Sequence, residues 1–346
     1  YTIARVNGEV YDIGGQAAYI NRQNRISWGA SVGHIPYRSS YMLYKPQDTV
    51  ELDDQQFVMQ NLIQMDQRIF NDQLGVFAQY PFSRHVRIEA GASVSRYSFR
   101  FDSTNHYYDL TGIQRFEDKN KIDAPPPFWM YSANAAWVGD HVDYGVTSPL
   151  RGWRYRFDAG YTLGGYDYAQ VIADYRHYFF FKPIGLAFRT MHYGRYGASQ
   201  GLLYPYFLGQ NHFIRGYTYN SLRGSSCVEH SECLSMNQIQ GNKLALFNIE
   251  TRFPFSGPEE LSLIRSRYIY TDLFAFFDGG LAWDKPQNIA MDWQPGSDAH
   301  IPVFSTGLGL RLNLMGYFVL EPYVAVPFQN PKANFSYGLG ITGSGW

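Results

Sequence analysis

Long apolar runs are missing from this sequence of 346 residues. A helix that crosses a bilayer needs about 20 consecutive, mostly apolar residues, whereas the best runs here are only 178–181 and 273–277. The sequence therefore excludes membrane-spanning helices. Charged residues are also scarce, at 17% of the chain, where an ordinary soluble domain has about 25%. This low charge argues against a soluble enzyme.

Sequence patterns for catalysis and metal binding are missing too. The chain contains no G-x-S-x-G elbow, H-E-x-x-H pair, Walker loop or Asp-x-Asp calcium spacing, and its 9 His residues are scattered. A net charge of -1 gives no broad attraction to nucleic acid. We therefore predict no catalytic residue, no metal site, no cofactor and no nucleic-acid partner, and we do not expect an enzyme.

Aromatic residues, in contrast, are abundant at 18% of the chain, with 29 Tyr, 25 Phe and 7 Trp. The mean hydropathy is nevertheless only -0.32. Many aromatic side chains, little charge and moderate hydropathy are typical of a transmembrane β-barrel, which has one face in lipid and the other in water. Because Tyr and Trp concentrate at both membrane interfaces, we interpret them as membrane girdles rather than as ligand-stacking platforms.

Apolar and polar residues alternate with period 2 along the whole chain. The segment 303–313 places Phe304 and Leu308 on one face and Gly307 and Arg311 on the other. Because successive side chains of a strand point to opposite faces, this pattern predicts one lipid face and one lumen face. The pattern gives fifteen candidate strands: 1–9, 14–22, 26–36, 57–67, 73–82, 86–100, 128–140, 152–163, 167–181, 185–196, 243–255, 268–283, 302–314, 316–326 and 334–343.

The strand count defines the expected architecture. Single-chain bacterial barrels normally have an even number of strands, so we predict an all-β, transmembrane antiparallel β-barrel of about 16 strands, with about 15 of them in this chain. The barrel is expected to fill 1–346 as one domain and to close with a strand that precedes Tyr1. The sequence starts at Tyr1 without a Met or a signal peptide, so we also expect a longer precursor, with any N-terminal periplasmic domain missing here.

The connections between the candidate strands alternate in length. Short turns on the periplasmic side and long loops outside are usual in bacterial barrels. This rule places the turn 83–85 inside and the tracts 101–127 and 197–242 outside. The moderately long connections 37–56 and 256–267 then fall on the inner side, against the rule.

Three short motifs in the second half of the chain carry a family resemblance. The longest loop contains Ile214-Arg215-Gly216-Tyr217, the next strand reads FNIETRFP from residue 247, and the following strand reads FFDGG from residue 276. In this order and spacing, 130–346 resembles the bacterial surface antigen superfamily, the barrels of BamA and TamA type. The segments 80–82 and 149–152 are similar to periplasmic turns of that family.

The resemblance implies a multi-pass barrel in the outer membrane of a Gram-negative-type cell. It implies a role in protein insertion, protein translocation or the anchoring of a complex, with outer-membrane lipids, lipopolysaccharide and periplasmic or outer-membrane proteins as partners. No POTRA domain is visible, so assembly activity does not follow from the barrel. The first 60 residues and the closing GSGW are similar to barrels that follow TolB-like β-propellers in Bacteroidetes-type bacteria. A passive channel and a scaffold barrel are the alternatives.

Strand parity gives the motif residues a physical role. Glu250 and Asp278, like Phe276 and Gly280 on the motif strand, are expected to point inward from neighbouring strands. A guanidinium is a planar fork of donors suited to carboxylates, so Arg215 could meet both acids if the loop folds back into the lumen. Gly216 would permit a tight turn at the tip, and Gly280 would leave space for its approach. The alternative is that Arg215 is a solvated loop charge above a wet pore.

The only two cysteines, Cys227 and Cys233, lie in the same long tract, 197–242. Outside the cell such a pair favours a disulfide over two free thiols. A metal site is disfavoured because His230 alone lies between the two cysteines and there is no second pair.

Overall fold

The computed structural model describes residues 2–6, 12–52, 55–222, 234–292, 297, 299–314, 318–330 and 335–343. The strands are β1 (Thr2–Val6), β2 (Ile13–Asn21), β3 (Ser27–Leu52), β4 (Gln55–Pro81), β5 (Val86–Tyr108), β6 (Gln114–Ile122), β7 (Phe128–Tyr144), β8 (Pro149–Gly164), β9 (Tyr168–Phe181), β10 (Ile184–Tyr196), β11 (Tyr206–Phe207), β12 (Gln240–Gly241), β13 (Lys243–Gly257), β14 (Ile264–Arg265), β15 (Tyr270–Trp283), β16 (Val303–Leu314), β17 (Phe318–Pro327) and β18 (Ser336–Gly343). Between them lie one helical turn, α1 (Tyr219–Leu222), and the 3-10 turns Gln200–Leu202, Met236–Ile239 and Pro286–Asn288.

Sixteen of these strands form one sheet, with the hydrogen-bonded order β1-β2-β3-β4-β5-β7-β8-β9-β10-β13-β15-β16-β17-β18. β6 pairs with β5 and β14 with β13, while β11 and β12 form a separate two-stranded sheet. Neighbouring strands in this order run antiparallel, for example β10 with β13 and β13 with β15, whereas the short β14 runs parallel to β13. The predicted all-β antiparallel fold class is therefore confirmed.

Within the described ranges, no helix combines the length and the apolar character needed to cross a membrane.

The N-terminal strands differ from the prediction. The candidates 57–67 and 73–82 are one continuous strand, β4, and the supposed connection 37–56 is the outer part of the β3–β4 hairpin. The β3–β4 hairpin turns at one end of β4, and the turn at 82–85 lies at the other end. The prediction that 37–56 lies on the same side as the turn 83–85 is therefore wrong. The tract 101–127 is also not a plain loop, because β5 continues through it and pairs with β6. The odd strand count that motivated a strand before Tyr1 no longer applies, and that strand stays a prediction.

The chain divides into two compact units. Unit 1 consists of Tyr1–Gln79, Ala90–Ala133 and Thr162–Tyr166. Unit 2 consists of Tyr80–Glu89, Asn134–Tyr161 and Asp167–Trp346.

Unit 1 contains the two longest strands, β3 with 26 residues and β4 with 27. About 9–11 residues are enough for a strand to cross a bilayer, so β3 and β4 continue well beyond a membrane-spanning length. We call their continuation, 37–52 with 55–70, the hairpin arm. At its base Arg68 is fully buried and donates to Asp12 Oδ1 at 3.1 Å and to Asp102 Oδ2 at 2.7 Å. Such buried, charge-assisted hydrogen bonds fix the arm to β2 and β5.

Unit 2 shows the predicted alternation in its burial. On β16, Ser305 and Arg311 are buried whereas Leu308 is 68% exposed. On β18, Leu339 and Ile341 are 53% and 67% exposed. We call the buried side of β13, β15, β16 and β17 the loop face, because the long loop 197–242 packs against it. The opposite side carries the apolar residues that the sequence assigned to lipid.

Candidate functional site

The described parts of the loop 197–242, which are 197–222 and 234–242, fold back onto unit 2 and build a hydrophobic cluster with the loop face. The loop contributes Leu208, Phe213, Ile214 and Tyr217, and the strands contribute residues such as Leu246. Ile214 and Tyr217 are 0% exposed. Burial of this apolar surface contributes free energy that holds the loop in place. The tip residues therefore lie inside unit 2 and not in solvent.

Arg215 lies between the two acids that strand parity selected. Its backbone N and its Nε donate to Asp278 Oδ2 at 3.2 and 2.7 Å, and Nη2 donates to Asp278 Oδ1 at 2.7 Å. Nη1 donates to Glu250 Oε1 at 2.7 Å. Asp278 is 0% exposed. The guanidinium thus makes a bidentate pair with one carboxylate and a single bond with the other, which satisfies both the charge and the donor geometry of a buried arginine.

Glu250 is the centre of a larger charge network. It also accepts from Arg252 Nε at 2.9 Å and from Arg311 Nη2 at 2.9 Å, both through Oε2. Arg311 Nε in turn donates to Glu321 Oε1 at 3.0 Å. With Arg215 and Asp278, the network has three guanidinium groups and three carboxylates, so its charges balance. A balanced buried network avoids the desolvation cost of an unpaired charge.

Arg311 and Glu321 are functional candidates that sequence reasoning missed. Parity placed Arg311 on the inner face of β16 among Ser, Gly and Asn, and a lone charge on such a small-residue face was the available signal. Its partner could not be read from the sequence, because it depends on the register in which Leu312 faces Leu320 across β16 and β17. That register brings Glu321 next to Arg311.

Two phenylalanines of β15 form a platform beneath the arginines. Arg215 Cζ lies 3.7 Å from the ring centroid of Phe276, and Arg311 Cζ lies 4.4 Å from that of Phe274. Cation–π attraction of this kind adds to the ion pairs and is strongest where water is excluded. The rings can lie flat because β16 has glycines there: a Cβ at Gly307 would lie 2.6 Å from Phe276 Cζ.

We expect Gly307→Ala to loosen the network without removing a charge. The new Cβ would lie 2.1 Å from the Val324 carbonyl oxygen and would push Phe276 off its position, so the Arg215 guanidinium would lose its platform. Overpacking of this kind costs roughly 1–3 kcal/mol. Urea unfolding of the purified protein measures this loss. The control is Gly112→Ala: Gly112 has a positive φ of 83° but no atom within 4 Å of its Cβ position, so it reports strain without displacement. Equal stability of Gly307→Ala and the parent protein would contradict the platform.

The remaining motif residues shape the loop tip. Gly216 has a φ of 97°, a conformation that side-chain-bearing residues rarely adopt. Ile214 packs over Gly280, where a Cβ would lie 2.8 Å from Ile214 Cδ1. Tyr217 Oη lies 2.8 Å from both the Phe304 carbonyl oxygen and Gln329 Oε1, and its single hydroxyl proton can be donated to either acceptor. The motif therefore turns the tip tightly and attaches it to the end of β16.

The loop also reaches the last two strands. Tyr323 Oη donates to Asn211 Oδ1 at 2.7 Å, and Asn211 Nδ2 donates to the Leu339 carbonyl oxygen on β18 at 3.4 Å. Tyr323 lies over Gly338, where a Cβ would be 2.1 Å from its ring. On the other side of the tip, Arg189 Nη1 donates to the His212 carbonyl oxygen at 2.7 Å. The loop therefore contacts β10, β13, β15, β16, β17 and β18.

A cavity below the loop is lined by Arg176, Arg189, His212, Glu321 and Tyr323, among others. Burial lowers the pKa of the His212 imidazole, and the neighbouring charges of Arg189 and Arg176 lower it further. Both effects favour the neutral form of the imidazole.

Two predicted features remain untested at this site. Cys227 and Cys233 lie outside the described residues, so the structure gives no support for a disulfide and their pairing stays a prediction. In the part of the chain that the structure describes, no group of three or more His, Cys, Asp or Glu residues could hold a metal ion.

Known proteins resemble this chain at the level of the family and the fold. No curated protein matches it. Among solved structures, BamA from Haemophilus ducreyi lacking POTRA domains 1-3 matches with a TM-score of 0.52 and 13% identity, over 99% of this chain and 68% of that chain. CdiB from Acinetobacter baumannii matches with a TM-score of 0.43 and 12% identity, over 96% of this chain and 56% of that one. CdiB from Escherichia coli matches with a TM-score of 0.46 and 10% identity, over 96% of this chain and 59% of that one.

The family assignment rests on the sequence itself. The profile of the Omp85 superfamily domain matches residues 13–342, which contain the loop, both acids and the motif strands. The likeness to BamA, at 13% identity, indicates the same fold. The resemblance drawn from the three short motifs is thereby confirmed, and the chain belongs to the Omp85 superfamily.

Proposed function

We propose that this protein is a barrel of the outer membrane that inserts or translocates other proteins, and that its loop 197–242 is an inward-folded brace rather than a mobile external loop. The observation that carries the proposal is the position of Arg215 between Asp278 and Glu250, with the loop tip packed on the loop face. A loop held by buried charges and an apolar cluster obstructs the space beside the strands.

An obstructed lumen disfavours the passive diffusion channel. A channel for small solutes needs an open, polar path, whereas here the loop contacts strands from β10 to β18. A barrel that inserts or translocates proteins does not need a path that is open at rest, because a client passes only while it is being handled. The chain belongs to the Omp85 superfamily and has the fold of BamA. This family membership favours a barrel that inserts or translocates proteins.

The same proposal gives the chain its surroundings. The exposed apolar side chains of unit 2, such as Leu308, Leu339 and Ile341, would face outer-membrane lipid. The short turn at 82–85 would lie in the periplasm. The loop 197–242 would fold inward from the outer side, where the hairpin arm would lie near lipopolysaccharide. There a bond between Cys227 and Cys233 would be stable. Periplasmic or outer-membrane proteins are the expected partners, and a scaffold that anchors a complex is the second candidate.

Reconstitution tests the proposed activity. We expect the purified protein in lipid vesicles to accelerate the folding of a urea-unfolded, eight-stranded outer-membrane barrel several-fold over protein-free vesicles of the same lipid. Folding is measured by the shift of the client on unheated gels and by its protection from protease. In planar bilayers of that lipid, the same preparation should show no steady open-channel conductance.

Two controls make this experiment decisive. The first is a preparation of the same protein unfolded by heat before reconstitution, which separates folded activity from lipid disturbance. The second is Arg265→Ala, which removes an exposed charge paired only with Glu259 at 3.1 Å and should leave the rate unchanged. Steady conductance without acceleration would replace the proposal by a diffusion channel. Neither conductance nor acceleration would replace it by a scaffold.

A further inference from the structure

The hairpin arm has an edge without a strand partner. β2 pairs with β3 only from Asn21↔Trp28 to Gly15↔His34, whereas β3 pairs with β4 as far as Leu52↔Gln55. Beyond His34, therefore, β3 has β4 on one side, and among the described residues no strand pairs with its other side. We call 39–44 the free edge. It lies beyond the length of strand that a bilayer needs.

Pro36 shows which backbone groups of β3 point away from β4. Pro36 faces Phe70 within the β3–β4 ladder, and a proline has no N–H to donate, so in a paired strand its nitrogen faces the other side. In an antiparallel strand the N–H and C=O of one residue point the same way, and the direction alternates. The outward groups on the free edge therefore belong to Ser40, Met42 and Tyr44.

The free edge is uncharged and flanked by positive residues. It reads SSYMLY, between Arg38 and Lys45-Pro46, and Met42 and Tyr44 are 64% and 59% exposed. Six-residue segments with high β-propensity, no charge and no proline are those that pair with a further strand. On the other side of the arm, β6 is protected by charges of both signs in the sequence QRFEDKNKI. Among the described residues, charged side chains thus protect the β6 edge against pairing with a further strand, whereas the free edge on β3 has no such protection.

We propose that the free edge binds an extended, uncharged and largely apolar segment of another protein by strand addition. Lipid cannot be the occupant, because unpaired backbone groups are not tolerated in the hydrocarbon layer, whereas a strand supplies a matching row of donors and acceptors. Exposed apolar side chains lie on both faces of the edge, Tyr41 and Leu43 on one and Met42 and Tyr44 on the other. A bound strand with apolar side chains on both of its faces would bury them against the apolar side chains of the free edge, which strengthens binding. This inference is independent of the role of Arg215.

A blocked, uncharged synthetic hexapeptide of Val, Ile and Tyr, whose sequence does not occur in this chain, is the probe. Its binding to the purified protein in detergent is measured by fluorescence anisotropy, and amide hydrogen exchange is followed on the protein. We expect the amides of Ser40, Met42 and Tyr44 to exchange fast in the free protein and to slow when the peptide is bound. The amides of Ser39, Tyr41 and Leu43 face β4 and should be slow in both states. The same peptide with N-methyl groups on alternate residues should not bind.

Two substitutions of Met42 distinguish binding through backbone hydrogen bonds from binding through apolar side-chain contacts. Met42→Pro removes an outward N–H without touching the β3–β4 ladder and should weaken peptide binding about tenfold or more, since one lost backbone pair also stops the strand from continuing. Met42→Ala keeps the N–H and should weaken binding only about twofold to threefold. Equal losses in the two variants, or equal binding of the methylated peptide, would overturn strand addition. Self-association of the protein that Met42→Pro abolishes would assign the edge to a second copy and overturn the partner proposed here.

Discussion

Arg215→Ala should release the loop 197–242 from the loop face and lower the heat resistance of the folded protein. The substitution leaves the buried Asp278 with the backbone N–H of residue 215 at Oδ2, 3.2 Å away, and with Asn248 Nδ2 at Oδ1, 2.9 Å away. It also removes one of three guanidinium partners of Glu250. Breaking a buried ion pair by removing one partner costs roughly 3–5 kcal/mol, because the remaining charge stays desolvated. The hydrophobic cluster around Ile214 limits the loss, so we expect a folded but loosened protein.

Mobility on unheated gels as a function of temperature measures this loss, and limited proteolysis of the loop locates it. Asp278→Asn should give a smaller loss, because the amide keeps one acceptor for Arg215. Arg215→Lys should fall between the parent and the alanine variant, because an ammonium keeps the charge but cannot bridge two carboxylates as a planar fork does.

Arg265→Ala is the matched control, since this arginine is 62% exposed in its pair with Glu259. Exposed pairs contribute about 0–1 kcal/mol, and the control should behave as the parent. Parent-like heat resistance of Arg215→Ala, with the loop equally protected from protease, would show that the apolar cluster alone holds the loop and would remove the main support for the brace.

The residues on the inner side of unit 2 could be predicted from the sequence, because the alternation of side chains along each strand decides which residues lie there. Period-2 parity holds along β13 as far as the bulge after Pro254 and along β15 and β16, so it places Glu250, Asp278 and Arg311 on one face from the sequence alone. The meeting of Arg215 with the two acids then needed only a loop long enough to fold back. Contacts between strands were out of reach, because the sequence does not give the register that joins Arg311 to Glu321.

The hairpin arm was not predicted because its exposed apolar residues do not keep to one face of the strand. Near the start of β3 the exposed apolar residues Trp28 and Val32 have even numbers, whereas in the arm the odd-numbered Tyr41 and Leu43 and the even-numbered Met42 and Tyr44 are all exposed. A strand with one face in lipid keeps its apolar residues on that face, so the loss of the alternation looked like the end of a strand followed by a loop. The structure shows one strand whose surroundings change, with the buried charge of Arg68 on the side that was apolar below.

Glu250→Gln should destabilise the protein more than Arg215→Ala does. Glu250 is buried and accepts from Arg215, Arg252 and Arg311. The glutamine has the same shape but no charge, so three guanidinium groups would share only Asp278 and Glu321. Its amide nitrogen would also point a donor at one of these arginines, and a buried donor without an acceptor costs about 1–3 kcal/mol. Added to the roughly 3–5 kcal/mol for breaking a buried pair, this is a large share of the stability of an ordinary domain.

A double variant that restores the charge balance of the network tests the role of Glu250 more strictly than Glu250→Gln alone. Arg252 donates to Glu250 and to the Pro149 carbonyl oxygen at 3.1 Å. Arg252→Met in the Glu250→Gln background removes one excess cation while keeping a long apolar stem. We therefore expect the double variant to be more stable than Glu250→Gln alone, although Arg252→Met alone should be destabilising.

Urea unfolding of the four proteins, followed by tryptophan fluorescence, gives the coupling between the two positions, which for residues in one network is about 0.5–3 kcal/mol. Glu259→Gln, at a carboxylate that is 74% exposed, should leave the midpoint unchanged. Two results would show that the Glu250 carboxylate does not balance the arginines. One is a urea midpoint of Glu250→Gln equal to that of the parent protein, and the other is that the changes in unfolding free energy of the two substitutions simply add. The loop would then rest on apolar packing, and Arg215 would be a neighbour of the acids without being their partner in stability.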